Sequence, residues 1–361
     1  MTTDALSPSA LADCVERQAP SELTATELLE QARAVVGPSL RDAIATLPRP
    51  VADVACYHFG WATTDGRTYL GKDGNWGKGF RSALVLACAD AVGSDRAAAV
   101  SAAVAVELVH NASLIHDDII DGDSQRRSRP AVWSAFGIPA AILAGDALFF
   151  LANQTLGRAD APLNTVGVGW LNQAGQHLVA GEHADAALAG QATVTLEDAL
   201  AVASGKTGAL LAAACALGAL AGAADPAVIE RFHTMGHHLG LAYQLADDLL
   251  GIWGTTARTG KPERSDLRSR KKSLPVVAAL AADCPASHEL AALYQRPTPL
   301  DEQDLHTAAA LIEEAGGHDW ALRQATHHFT TALTSLHSDS CDPAMLAKLT
   351  NLAQYITRRD H

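Results

Sequence analysis

The sequence predicts an all-α bundle, and three observations carry the prediction. Nearly every segment of the 361-residue chain repeats apolar residues at the helical i, i+3, i+4 spacing, with no convincing strand pair. Hydrophobic residues make up 48% of the chain and aromatics only 5%, with Ala and Leu dominating, which suits helices packed closely through small side chains. The central segments are apolar nearly all round, as buried bundle helices are.

Residues 1–22 carry little apolar periodicity and are expected to be mobile; they also lack the pattern of a signal peptide. No Pro/Gly/Ser-rich linker divides the rest, so 23–361 is expected to form one domain. Helical spacing then marks 22–36, 79–93 (stopping at glycine) and 95–118, the last a long apolar run ending in aspartates. Segments 139–157, 165–188, 196–222 and 226–254 follow, and the tail gives 273–283, 302–317, 319–336 and 343–360. Irregular stretches are expected at 56–78 and 254–272, both rich in Gly and Lys/Arg, and loops of that length are usually functional or mobile. The Ala/Gly-rich run 208–224 approaches membrane length, but its composition favours a central core helix over stable membrane insertion.

A net charge of −13 argues against nucleic acid as a partner. The six cysteines are scattered with no CxxC pair, which points to reduced thiols and a cytoplasmic protein.

The chemistry concentrates in "SLIHDDIIDGDSQRRSRP", residues 113–130. Asp117, Asp118 and Asp121 can share one helix face, where like charges repel unless a cation lies between them. The pattern returns in "YQLADDLLG", with Asp247 and Asp248 again ending an apolar helix. Each pair alone reads equally well as a helix cap. Two pairs in matched contexts, one followed by Arg126 and Arg127, point instead to the two jaws of a Mg²⁺ clamp that shares its ion with substrate phosphates. Basic residues complete the set: Lys78 and Arg81 in "GKGFR", Lys206 in "SGKTG", Lys261 in "TGKP", and Lys271 with Lys272 in "SRKKSLP". They sit at helix ends and Gly-containing turns, where backbone N–H groups also favour phosphate. "GKTG" lacks the earlier glycine and the preceding strand of a P-loop.

These motifs resemble, in order, those of the trans-isoprenyl diphosphate synthases (polyprenyl synthetases) over roughly residues 50–360. "LIHDDIIDGDSQRR" and "YQLADDLLG" are similar to the two aspartate-rich motifs, and "GKGFRSAL", "SGKTG", "TGK", "DL...K" and the closing "TRRD" to the accompanying segments. The resemblance implies the isoprenoid synthase type of helical bundle around a central apolar cavity, and a homodimer. It implies that Asp117, Asp121 and Asp247 ligate three Mg²⁺ ions bridging to the diphosphate of an allylic substrate, with Asp118 and Asp248 in support. Arg126, Lys206 and Lys261 would hold that diphosphate, and Lys271 would also serve substrate binding. Lys78, Arg81, His110 and Arg127 would receive isopentenyl diphosphate, and Thr207 and Gln244 would lie beside the reacting carbons.

Five departures stand out, one of them Thr255 in place of a frequent Asp after the second motif. Gly251 occupies the place of a third Asp in the second motif, where metal binding is still expected. Glu182 stands where a glutamine is usual, Ser128 where glycine is usual, and Ser82 where proline is common. Product length should depend on the small residues Ala112 and Ser113 one turn before the first motif, with Phe149 and Phe150 as the next floor of the tunnel. These imply geranylgeranyl diphosphate as product, with longer prenyl diphosphates open. The rival reading is a class I terpene cyclase, which would have no use for the pocket of Lys78, Arg81 and His110. A non-catalytic subunit of a hetero-oligomeric synthase would be expected to lose its acidic motifs, and this chain keeps both.

Overall fold

The computed structural model describes residues 23–67, 74–191, 193–256, 262–336 and 343–358. Within them the chain is all-α apart from one two-stranded hairpin. In chain order the helices are α1 (Ala25–Ala45), α2 (Arg49–His58), α3 (Phe80–Ala91), α4 (Arg96–Ile120), α5 (Val132–Phe136), α6 (Ile138–Gly157), α7 (Val168–Ala189), α8 (Leu196–Ala203), α9 (Ala209–Ala221), α10 (Pro226–Trp253), α11 (Ser265–Arg268), α12 (Leu274–Leu280), α13 (Pro285–Gln295), α14 (Glu302–Glu314), α15 (Gly317–Thr334) and α16 (Pro343–Arg358).

Local chemistry sets many of the starts. Thr24 caps α1 reciprocally with Glu27, and the same capping box recurs at Thr195–Asp198 and Asp301–Asp304. Asp95 caps α4 by accepting from the Ala97 N–H, and Pro226 opens α10.

Helices α4 and α9 form the centre. Every residue from Leu210 to Leu220 is buried, and α4 buries an unbroken run from Ala102 to Val109. Three helical segments, Arg96–Ile120, Ile138–Gly157 and Leu196–Ala221, are long and apolar enough to cross a membrane. In the first and third, most of the apolar stretch is spent on packing inside the protein, as the run 208–224 predicted. The second, α6, keeps Ile138, Ile142, Leu143 and Phe150 exposed.

The sequence reading needs four corrections here. Residues 196–222 do not form one regular helix: "SGKTG" is a π-helical turn, Ser204–Gly208, between α8 and α9. Helix α2 reaches into the stretch expected to be irregular from residue 56, and α5 and α13 were not anticipated. Strands do pair, in a short hairpin of β1 (Gln125–Arg126) and β2 (Arg129–Pro130). Its two turn residues, Arg127 and Ser128, have φ of 54° and 59°. Both lie in the left-handed region that a two-residue hairpin turn of this hand requires. Ser128 thus occupies a position that suits the glycine more usual there.

Candidate active site

Asp117, Asp118 and Asp121 fall at the end of α4, where the apolar face runs out into the cleft. Asp118 is 1% exposed and faces Arg126, whose Nε donates to its Oδ1 at 2.8 Å and whose Nη2 also bonds it. The same Nη2 reaches Asp117 Oδ2 at 3.4 Å. Burial pushes the Asp118 carboxyl up, against the Arg126 charge that pulls it down. Asp121 lies exposed at the rim.

The hairpin turn sends the next arginine elsewhere. Arg127 donates to Asn111 Oδ1 and to the Asn75 carbonyl, each at 3.1 Å. His58 Nε2 donates to the same Asn111 oxygen at 3.0 Å. Beside them Arg81 Nη1 bonds His110 Nε2 at 3.1 Å, which leaves the buried Arg81 Nε with no hydrogen-bond partner. Burial and the neighbouring Arg126 bring Arg127 down to about 10, and burial with Arg81 depresses His110 well below the ordinary imidazole range. A desolvated cluster of cationic donors is what a polyanion would relieve. Lys78 is exposed in front of α3, its ammonium 5.1 Å from the Tyr355 ring. Ser82 uses its N–H to bond Glu107 Oε1 at 3.0 Å, a bond that proline would forfeit.

Across the cleft, Lys206 projects from the π-turn into a ring of carboxylates: Asp117 at 3.0 Å, Glu182 at 2.8 Å and Asp185 at 2.9 Å. Burial pushes the Glu182 carboxyl up, with repulsion from Asp117 and Asp185 adding to it, while the carboxylates together raise Lys206 above the usual ammonium range despite burial. Thr207, one residue on, donates its hydroxyl to Gln244 Oε1 at 2.7 Å. Gln244 Nε2 donates to Asp248 Oδ1 at 2.9 Å, and the Leu274 N–H donates to Asp248 Oδ2, also at 2.9 Å. Lys271 lies 3.8 Å from Asp248. Asp248 is buried, which brings its carboxyl up to about 6. Asp247, one residue earlier, is half-buried. A cleft of about 600 Å³, open to solvent, is lined by Lys206, Asp185, Gln244, Asp248 and Lys271.

The π-turn is held by close backbone approach. A Cβ on Gly181 of α7 would stand 2.4 Å from the Lys206 nitrogen, and one on Gly240 of α10 would stand 2.6 Å from the Gly208 Cα. Glycines therefore let helices on both sides touch the turn directly, which fixes where Lys206 and Thr207 emerge.

The donor set fits hard divalent cations. The acidic side chains facing the cleft offer only oxygen, and Asp118 Oδ2 is buried with no hydrogen-bond partner. Among the described residues no group of three His, Cys, Asp or Glu side chains is disposed to hold an ion by itself. The reason is visible at Lys206, which lies among Asp117, Glu182 and Asp185. Such jaws suit an ion that completes its coordination with water and substrate phosphate.

The predicted residues therefore converge, with some exceptions. Lys261 lies outside the described residues. Phe150 is 76% exposed and does not floor a tunnel within this chain, which corrects that expectation. Phe149 is half-buried and packs against the core, its ring 5.9 Å from that of His116. Ala112 is fully buried, and Ser113 turns its hydroxyl back to the His110 carbonyl at 2.8 Å. Sequence reasoning gave no role to Asp185 or Asn111. The signal for Asp185 was its i, i+3 spacing from Glu182; that for Asn111 was a lone amide on an otherwise apolar face.

The chain is similar to known proteins over most of its length. Residues 70–312 match the family model described as polyprenyl synthetase. A geranylgeranyl diphosphate synthase of Mycobacterium tuberculosis is 45% identical, with 92% of this chain and 93% of the relative covered. A (2E,6E)-farnesyl diphosphate synthase of the same species is 41% identical, with 92% of each covered. The crystal structure of a polyprenyl synthetase from Streptomyces coelicolor superposes with a TM-score of 0.84 at 43% identity, covering 91% of this chain and 98% of the other.

Proposed function

The chain belongs to the polyprenyl synthetase family and is a trans-prenyltransferase, and on that premise we propose that it extends an allylic diphosphate with isopentenyl diphosphate to geranylgeranyl diphosphate. The observation that carries the product assignment is the pair Ala112 and Ser113, small side chains directly upstream of Asp117 with no polar group left free by Ser113. The synthase from M. tuberculosis that shares 45% of its residues with this chain bears the corresponding name. Phe149 is the proposed floor.

Asp117, Asp121 and Asp247 would hold Mg²⁺, three ions by family resemblance, with Asp118 and Asp248 bracing them. Bound Mg²⁺ would neutralise the charge that develops on the departing diphosphate. Arg126, Lys206 and Lys271, with Lys261, supply fixed positive charge to the same group. Lys78, Arg81, His110 and Arg127 hold the diphosphate of isopentenyl diphosphate. As the allylic C–O bond breaks, its electron pair leaves with diphosphate. The double bond of the second substrate then attacks the allylic carbon, and loss of a proton restores a double bond. Thr207 and Gln244 lie in one polarised chain ending on Asp248, so their oxygen dipoles suit the transient cation. Apolar helical walls exclude water from it.

The exposed apolar residues of α6 make that helix the proposed contact in a homodimer. A reducing, cytoplasmic setting agrees with the thiols of Cys56, Cys215 and Cys284, which form no disulfide.

The test is direct. Purified protein with Mg²⁺, isopentenyl diphosphate and farnesyl diphosphate should yield geranylgeraniol after dephosphorylation, and Ser113→Phe should shift the product toward farnesol. Cyclic hydrocarbons formed without isopentenyl diphosphate would point instead to a cyclase.

A further inference from the structure

Where α10 packs against α15, four histidines meet that the reaction does not use: His237 and His238 of α10, His327 and His328 of α15. Their ring centres follow one another at 5.8, 5.1 and 5.4 Å. In the middle of the row, His238 Nδ1 and His328 Nδ1 stand 2.8 Å apart. The 5.1 Å between those two ring centres is that gap plus one ring radius at each end, so the two nitrogens point straight at each other. One ring donates its Nδ1–H and the other accepts on its lone pair. Both side chains are half-buried. The neighbouring charges that bear on the row are those of imidazoles, with His233 acting on His237 and His327 on both members of the pair.

We propose that His238 and His328 form a metal site apart from the acidic cleft, for a borderline divalent ion such as Zn²⁺, which clips α10 to α15. Spacing is the first support. On a tetrahedral ion with Zn–N distances of about 2.0–2.1 Å, two imidazole nitrogens lie roughly 3.3 Å apart and their ring centres roughly 5 Å apart. The ring centres already have that separation, and their planes differ by only 30°. Reorienting each ring by roughly 35–40° aims both nitrogens at one point, and the χ2 torsion of histidine is broad. The proton between the rings then resides on Nε2 of its own imidazole, so a neutral pair loses none. The second support is protonation. Burial, with the neighbouring imidazoles, lowers His238 and brings His328 down to about 4, so both rings are neutral near pH 7, the form that ligates. Ligand type is the third. Imidazole nitrogen suits Zn²⁺, whereas the all-oxygen cleft suits Mg²⁺, so the two sites sort ions by chemistry. Among the described residues no group of three such side chains is ready to hold an ion, so water completes the coordination. A Cβ on Gly208 would stand 3.1 Å from His237 Nδ1. The stretch of α10 held by the clip is thus the one on which the π-turn rests.

The test is Zn²⁺ titrated by calorimetry into the full chain in excess Mg²⁺, with the unfolding temperature followed alongside. One Zn²⁺ should bind per chain, and the unfolding temperature should rise with Zn²⁺ concentration. Co²⁺ in its place should show the visible absorption of a tetrahedral ion. His238→Gln and His328→Gln keep a polar group at the gap but ligate poorly. Each should weaken Zn²⁺ binding about tenfold or more, since loss of even an outer partner of a metal ligand costs about that much. Each should also remove the Co²⁺ absorption, with helix content unchanged by circular dichroism. Two controls separate this site from others. His288→Ala removes the imidazole of the exposed pair that His288 makes with Asp283 at 3.1 Å. Asp117→Ala removes a carboxylate of the cleft. Both should leave Zn²⁺ binding as in wild type. Binding that survives in both glutamine variants, or that is lost in His288→Ala or Asp117→Ala instead, would overturn the proposal.

Discussion

The ends of α4 and α10 each pair a half-buried aspartate, Asp117 or Asp247, with a buried one, Asp118 or Asp248, but the buried partners are braced differently. Asp118 meets a full guanidinium, Arg126, from a hairpin only a few residues away. Asp248 is held by neutral dipoles, the Gln244 amide and the Leu274 N–H, with Lys271 more distant at 3.8 Å. A charge in contact compensates burial, whereas dipoles and a remote ammonium do so incompletely, and the Asp248 carboxyl rises to about 6. The first jaw is therefore a local unit with its counter-charge built in. The second depends on residues beyond a loop and is sensitive to protons.

Four substitutions probe that contrast. The largest effect is expected at Asp117→Ala, which removes the carboxylate shared by Arg126 and Lys206. Turnover should fall by roughly 10³-fold, the scale of losing one preorganised charge from a dry site, with helix content unchanged. Near-normal turnover would remove Asp117 from the working part of the first jaw. Next, Asp118→Asn should cost about 2–3 kcal/mol in urea unfolding, at or below the low end for breaking a buried pair because Arg126 keeps some solvent contact. Asp248→Asn should cost about 1 kcal/mol, since a dipole-braced carboxylate resembles an amide. Equal costs would mean the braces do not differ. The smallest effect lies in the hairpin. Ser128→Gly should stabilise by about 0.5–1 kcal/mol, the left-handed penalty less the extra freedom of glycine in the unfolded chain.

The same contrast has a pH signature. The native pKa of Asp248 lies above its unfolded value, so the native state holds that proton more tightly. Its contribution to stability is greatest below about pH 4, falls as pH rises toward about 6, and is constant above. Asp248→Asn should therefore gain stability relative to wild type between pH 4 and pH 7 in metal-free buffer. A difference that does not change over that range would remove the proton from the description.

The sequence made much of this legible for a simple reason. Helices such as α4 and α10 are apolar over many turns, and a run of aspartates at the end of such a face has few places to go. The resemblance set Arg126 and Arg127 apart, and the structure gives them different partners, Asp118 and Asn111. Convergence of Glu182 and Asp185 on Lys206 was not, because it depends on α7 touching the π-turn through Gly181, a contact with no local pattern. Nor was α2 as a whole, whose proline-led start lies next to a stretch rich in glycine.

The backbone contacts of Gly181 and Gly240 with the π-turn have one more consequence. If Ser113 tunes product length as proposed, some part of the chain must stay constant while its neighbourhood changes, and these glycines mark it. Any residue larger than glycine at either position would wedge a helix away from Lys206 and Thr207. Families of variants selected for new product sizes should therefore scatter their changes along the tunnel and leave this hinge-pin of bare backbone untouched.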